Sequence, residues 1–222
     1  SAVAISRRTD PKGRNMYLWN RQFFVSPARF FEGLEAISEA VAYSNANSDY
    51  DFDVWVPAGV GTLGAVGISS RMAEFAPFAD EMALRGADPE FQALGGAIGP
   101  CLAQNPEDIL SRIVHVAGER GDVPAVSSLV SWQTHPADLR ASLTHAVGMA
   151  DYLHGVHGAV TSVGSSAWGT PNGIVVVSGY DSIADFEAAS NAVQAEGTFL
   201  DRMESAVGIA ESIQSWVMRR IT

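Results

Sequence analysis

Cysteine is all but missing from this chain: Cys101 stands alone among 222 residues. One thiol cannot build an intrachain disulfide framework, so the expected setting is reducing and cytoplasmic. Cations are scarce as well. Lysine and arginine together number 14 against 25 aspartates and glutamates, a formal net charge of −11. Nucleic-acid surfaces need clustered cations and anionic membranes recruit polybasic segments, so neither partner is expected. No apolar run approaches the roughly 20 residues of a transmembrane helix. No charged-then-apolar secretory leader is visible either.

The common catalytic signatures are also absent. Gly59-Val60-Gly61 and Gly95-Gly96 do not join a strand to a helix with phosphate-loop spacing. Gly164-Ser165-Ser166-Ala167-Trp168 lacks the closing glycine of a serine nucleophile elbow and falls in a hairpin. Cys101, in a loop beside Gly99-Pro100, has no partnered histidine to make it a nucleophile.

What is present points to a packed core. Hydrophobic residues make up 47% of the chain, and its length suits one large domain or two of about 100 residues. Gly173 to Met203 is the most informative stretch. Ile174-Val175-Val176-Val177 predicts a strand, and Gly179-Tyr180-Asp181-Ser182 a break. An amphipathic helix then opens at Ile183, with Asp181 or Ser182 as its N-cap and Asp185 reaching back. The pattern occurs earlier too, as Ala65-Val66-Gly67-Ile68, Ser69-Ser70-Arg71 and Met72-Ala73-Glu74-Phe75. Such self-similarity decides the fold before any single motif does.

In chain order, Ser1 to Arg14 reads as an extended arm or loosely attached first strand. Met16 to Val25 alternates as a strand, with Tyr17, Trp19, Arg21 and Phe23 on one face. Ser26-Pro27 predicts a helix start with Ser26 as cap, and a buried stripe through Phe30 or Phe31, Leu34, Ile37 or Ser38 and Val41. Strands follow at Phe52–Val56 and Leu63–Ser69, and helices at Met72–Arg85 and from Asp88-Pro89. Gly95–Pro106 reads as loop and Ile109–Val116 as a strand. The order is β-α-β-β-α-β, the ferredoxin-like pattern. After a link at Glu119–Val123 it repeats. The repeat runs through strand Val126–Thr134, a helix begun by His135-Pro136, a hairpin around Trp168–Gly173, the Ile183–Ala195 helix and a strand at Trp216–Ile221.

The expected architecture is therefore α+β: two tandem ferredoxin-like modules, residues 1–118 with the N-terminal arm and residues 119–222. A four-stranded sheet with both helices on one face leaves the other needing cover. Exposed apolar surface there would cost about 25 cal/mol per Å². Packing the modules sheet to sheet, as one closed α+β barrel with helices outside, removes that cost.

The Gly-Tyr-Asp-Ser break, the Ile-Ala-Asp-Phe-Glu-Ala helix start and Asp88-Pro89-Glu90-Phe91 resemble the dimeric α+β-barrel superfamily. The tandem arrangement is most similar to NIPSNAP-like proteins. The resemblance covers nearly the whole chain past Asn15, but its residues place helices and are not reactive groups. It implies a group that includes cofactor-independent monooxygenases, polyketide cyclases, lactone isomerases, haem-binding chlorite dismutase-like enzymes and proteins without known activity, so fold alone selects no function.

His154 and His157 are the most suggestive titratable pair, at the end of a helix leading into a strand. A neutral imidazole there could act as general base on a phenol or an α-carbonyl proton. Helix C-termini favour histidine through the dipole as well, so capping competes with catalysis. As metal ligands they lack a third partner at useful spacing, and no metal is expected. Tyr17, Trp19 and Arg21, with Trp132 on the equivalent later strand, could line an aromatic pocket in which Arg21 holds a phenolate or carboxylate. Packing within the barrel competes with that. Tyr180, at a strand end, could donate a proton. His115 and His135 are expected to be structural and His145 solvent-facing.

The leading expectation is a barrel binding a small hydrophobic or aromatic, polyketide-like ligand, with any catalysis by acid–base groups and no cofactor. The alternatives are a non-enzymatic interaction or assembly protein and, from the resemblance, a haem enzyme of the chlorite dismutase type. A homo-oligomer is compatible with each.

Overall fold

A computed structural model of the chain describes residues 16–59, 61–206 and 208–221. The arm expected at Ser1–Arg14 lies outside them. Among the described residues the strands are β1 (Met16–Val25), β2 (Asp53–Pro57), β3 (Ala65–Met72), β4 (Leu102–Ala117), β5 (Val126–Gln133), β6 (Thr161–Trp168), β7 (Gly173–Tyr180) and β8 (Glu211–Arg220). The α-helices are α1 (Phe30–Ala46), α2 (Phe75–Gly86), α3 (Pro89–Ile98), α4 (Leu139–His157), α5 (Ile183–Ala195) and α6 (Thr198–Glu204). The strands are hydrogen-bonded in the closed order β1-β3-β2-β8-β5-β7-β6-β4, so the expected α+β barrel is what forms. None of the described helices is long and apolar enough to cross a membrane.

Local chemistry sets several boundaries. Ser182 caps α5: its Oγ accepts the Asp185 N–H at 3.1 Å and donates to the Asp185 carboxylate at 2.6 Å. Asp88 accepts from the Glu90 N–H and Pro89 takes the first position of α3, where a missing N–H costs nothing. Ser26, expected as a cap, makes no side-chain cap bond; Pro27 opens a 3-10 turn and α1 starts at Phe30. Ile37 and Val41 lie on the buried stripe as expected. Phe30 packs against the core, whereas Phe31 is 83% exposed.

Two spans differ from expectation. Met72, read as the first residue of a helix, ends β3 opposite Tyr17, and α2 begins only at Phe75. Methionine and arginine are good helix formers, but here the β1 ladder outweighs local propensity. Gly95–Pro106, read as loop, holds the end of α3 and the start of β4. Pro106 lacks a ladder donor, and β4 carries it at an exposed position.

The described residues divide into two compact units, 16–56, 62–110 and 221, and 57–59, 61, 111–206 and 208–220. In the first, Trp19, Phe23 and Val25 of β1 pack with Phe52, Val54, Val66 and Met72, with Ile37 and Val41 of α1, and with Phe78 of α2. Each such side chain, fully buried, contributes about 1.5–3 kcal/mol. Four rings surround Phe78: Tyr50 at 5.1 Å, Trp19 at 5.6 Å, Phe52 at 6.1 Å and Phe75 at 6.3 Å between centroids. In the second unit, Trp132, Val163, Ile174 and Val176 pack with Ala146 and Ala150 of α4. A smaller cluster joins Val126 and Tyr180 to Ala189 of α5.

Candidate functional site

The odd-numbered face of β1 points into the core that α1 and α2 complete. Trp19 is buried there, and Tyr17 lies beside Phe75 with ring centroids 6.4 Å apart. Arg21 already has its anion: Nε and Nη2 donate to the two carboxylate oxygens of Asp108, each at 2.7 Å. Its guanidinium also lies 5.3 Å from the Trp19 ring centroid. The two-point fork is the geometry that guanidinium and carboxylate share. Asp108 had no signal of its own in the sequence, because it falls between the span read as loop, Gly95–Pro106, and the strand read from Ile109.

Ser70 was missed for a similar reason, since Ser69-Ser70-Arg71 reads as a break. In the structure it is a β3 residue directly opposite Trp19. Its side chain is 1% exposed and its Oγ has no hydrogen-bond partner. An unsatisfied buried hydroxyl costs about 1–3 kcal/mol, so this one calls for an explanation.

Trp132 lies in the core of the second unit, where its Nε1–H donates to Ser142 Oγ on α4 at 2.7 Å. Tyr180 is 8% exposed, against Phe186 (centroids 5.5 Å apart, planes at 76°) and against His157 at 5.7 Å. The predicted residues thus separate into distinct settings: Tyr17, Trp19 and Arg21 in the first unit, and in the second Trp132 in one cluster and Tyr180 with His157 in another.

His154 and His157 occupy the last turn of α4, which ends at Gly158 in the left-handed conformation (φ 73°). His154 Nδ1 lies 3.0 Å from the Ala159 carbonyl oxygen, which can only accept, so Nδ1 carries the proton. His157 Nδ1 accepts the Ala159 N–H at 3.1 Å, so its neutral ring carries the proton on Nε2. Adjacent imidazoles on one helix therefore hold opposite tautomers. Burial first, and the charge of His154 second, push the His157 pKa below its ordinary value. His154 rests on Gly118 (φ +92°), where a Cβ would lie 2.7 Å from Cε1 and 3.0 Å from Nδ1, with Nε2 farther at 3.4 Å.

These tautomers bear on haem. A ligating imidazole needs a bare Nε2 and an Nδ1–H held by an acceptor. His157 has the reverse arrangement and as placed does not fit an iron; His154, its Nδ1–H held by the Ala159 carbonyl, has the tautomer a ligand needs. Among the described residues no group of three or more histidine, cysteine, aspartate or glutamate side chains is arranged to hold a metal ion.

The other histidines are engaged. His115 Nε2 lies 2.7 Å from Asp151 Oδ1, and His135 Nδ1 accepts the Ala137 N–H in the turn before α4. His145, expected to face solvent, is half-buried, with Nδ1 3.2 Å from Ser205 Oγ. That hydroxyl spends its proton on the Arg202 carbonyl, so the two are not a nucleophile and its base. Burial, then the Arg202 charge, lowers the His145 pKa.

Comparison with known proteins adds fold and not chemistry. No family model matches the chain. No curated protein matches either. Solved structures do. A protein described as "Putative monooxygenase" from Fusobacterium nucleatum subsp. nucleatum aligns at TM-score 0.70 and 8% identity, over 95% of this chain and 94% of its own. An "anthrone oxidase-like protein" aligns at 0.67 and 12% identity, over 95% and 93%. Chlorite dismutase from Candidatus Nitrospira defluvii aligns at 0.54 and 8%, over 93% and 91%. At such identities the likeness establishes the α+β-barrel fold alone.

Proposed function

We propose that this chain is a small-molecule-binding α+β-barrel protein for an aromatic or polyketide-like compound, built from two tandem ferredoxin-like modules, residues 1–118 and 119–222. The observation that carries the binding reading is the partnerless Ser70 hydroxyl opposite Trp19. A ligand carbonyl or phenol between Tyr17, Trp19 and Ser70 would satisfy that hydroxyl and stack on the indole. The anthrone oxidase-like name of one structural neighbour supports an aromatic substrate class. Repetition of the element order from β1 and from β5 supports the duplication and, with it, the NIPSNAP-like reading.

Binding is tested by titrating anthrone and 1-naphthol against tryptophan fluorescence. Saturable quenching is expected, lost in Trp19→Phe and weakened about three- to tenfold in Ser70→Ala, the factor one hydrogen bond sets. Failure of both compounds to bind, or equal affinity in Ser70→Ala, sinks the reading.

For catalysis of monooxygenase, cyclase or isomerase type, the second unit supplies the candidates. His154 with a bare Nε2 is the base, while His157, presenting Nε2–H beside Tyr180, is the donor. Turnover of anthrone that survives both His154→Ala and His157→Ala removes them from that role. Exposed Trp168 and Phe31, at 73% and 83%, favour the interaction-protein alternative. Concentration-dependent mass in light scattering, abolished by Trp168→Ser, would support it. The haem reading rests on the chlorite dismutase likeness and would show as a Soret band on adding haemin.

A further inference from the structure

Ala159 is held from both sides by the histidines that flank the end of α4. Its carbonyl accepts from His154 Nδ1 and its amide donates to His157 Nδ1. Gly158 N–H, in the same turn, donates to the His154 carbonyl at 2.7 Å. The chain then enters β6, where Thr161 Oγ1 lies 2.9 Å from Ser178 Oγ on β7 and the Val160 carbonyl accepts from Gly179 N–H. Tyr180 follows on β7 with its ring against His157. The turn thus ties three elements of the second unit together through one backbone unit and two imidazoles.

The two imidazoles respond to acid in opposite ways. Protonating His154 adds a proton at Nε2 and leaves the Nδ1–H donation to Ala159 intact. Protonating His157 places a proton on Nδ1, the atom that must accept, so two N–H groups then face each other. We propose that His157 is an acid-released latch: neutral, it clamps the α4–β6 turn through the Ala159 amide; protonated, it frees that turn and the Tyr180 ring beside it. The titratable groups facing it are His154 on its own helix and the Tyr180 phenol on β7; Phe186, which packs on Tyr180 from α5, carries no charge. Burial opposes a charge on His157 first and a positive His154 second, while a hydrogen bond to its own backbone favours the charged ring. The latch is independent of what the protein binds.

NMR on the full chain tests it at two levels. At pH 7.5, imidazole nitrogen shifts should report the Nε2–H tautomer for His157 and Nδ1–H for His154. From pH 8 to 5, the Ala159 amide shift should move with the midpoint of His157, and its exchange protection, corrected for intrinsic pH dependence, should fall roughly fivefold or more. His157→Asn keeps an acceptor near Nδ1 without a titrating group; Ala159 should stay protected and the midpoint vanish. An Nδ1–H tautomer at His157, an Ala159 amide indifferent to the His157 titration, or the same midpoint in His157→Asn would overturn the proposal. If that variant does not fold, the wild-type tautomer and the coincidence of midpoints decide alone.

Discussion

Gly118 offers a quantitative test of how the end of β4 meets α4. Its φ of +92° lies where side chains are strained, and an alanine Cβ would sit 2.7 Å from Cε1 and 3.0 Å from Nδ1 of His154. The backbone part of Gly118→Ala costs about 1–2 kcal/mol. Displacing the imidazole also breaks the Nδ1–H bond to Ala159, worth about 1 kcal/mol more. The total is about 2–3 kcal/mol, a fall of about 1 M in the urea midpoint at ordinary slopes. In a His154→Ala background the ring is gone, and the same substitution should cost only the backbone part. Urea denaturation followed by circular dichroism measures wild type, both single variants and the double variant at pH 7.5. A Gly118→Ala protein within about 0.5 kcal/mol of wild type would refute the strain argument. An equal cost in both backgrounds would refute the contact with His154.

Other expectations follow from single contacts. Ser142→Ala strands the buried Trp132 indole N–H and should cost about 1–3 kcal/mol by urea denaturation; a neutral result would mean the bond is not made. Tyr43 donates to Asp88, and that bond first, with burial, pushes its phenol up to about 12. Absorbance titration of Asp88→Asn, which keeps a capping residue at α3, should bring that group back toward 10. The same bond holds the Asp88 pKa below 3.8, so the stability it contributes is present above that value and lost as pH falls through the lowered one. An unchanged Tyr43 titration in the variant would show the phenol is perturbed by something else.

Much of the fold was legible because it is written in short-range chemistry. Ser182 with Asp185 and Asp88 with Pro89 announce helix starts within a single turn, so their reading needed no partner from elsewhere. The candidate site was less legible. Arg21 reads as a free cation in its strand, and only pairing with a residue 87 positions away shows its fork filled. Ser70 carries no periodic signal, because a lone hydroxyl is ordinary until burial removes every partner it could have. The pairing of His154 and His157 was visible as spacing, yet their opposite tautomers depend on where the chain goes after Gly158.

By itself, the amino-acid order determined the alternation of strands and helices and the caps of α3 and α5, since periodicity and capping act over a few residues. Tertiary structure alone decided that β3 runs on to Met72, that Trp19 and Trp132 face their helices, and that one backbone unit binds two imidazoles. Those outcomes depend on ladder register and on burial, which bring distant residues together at a cost no local segment encodes.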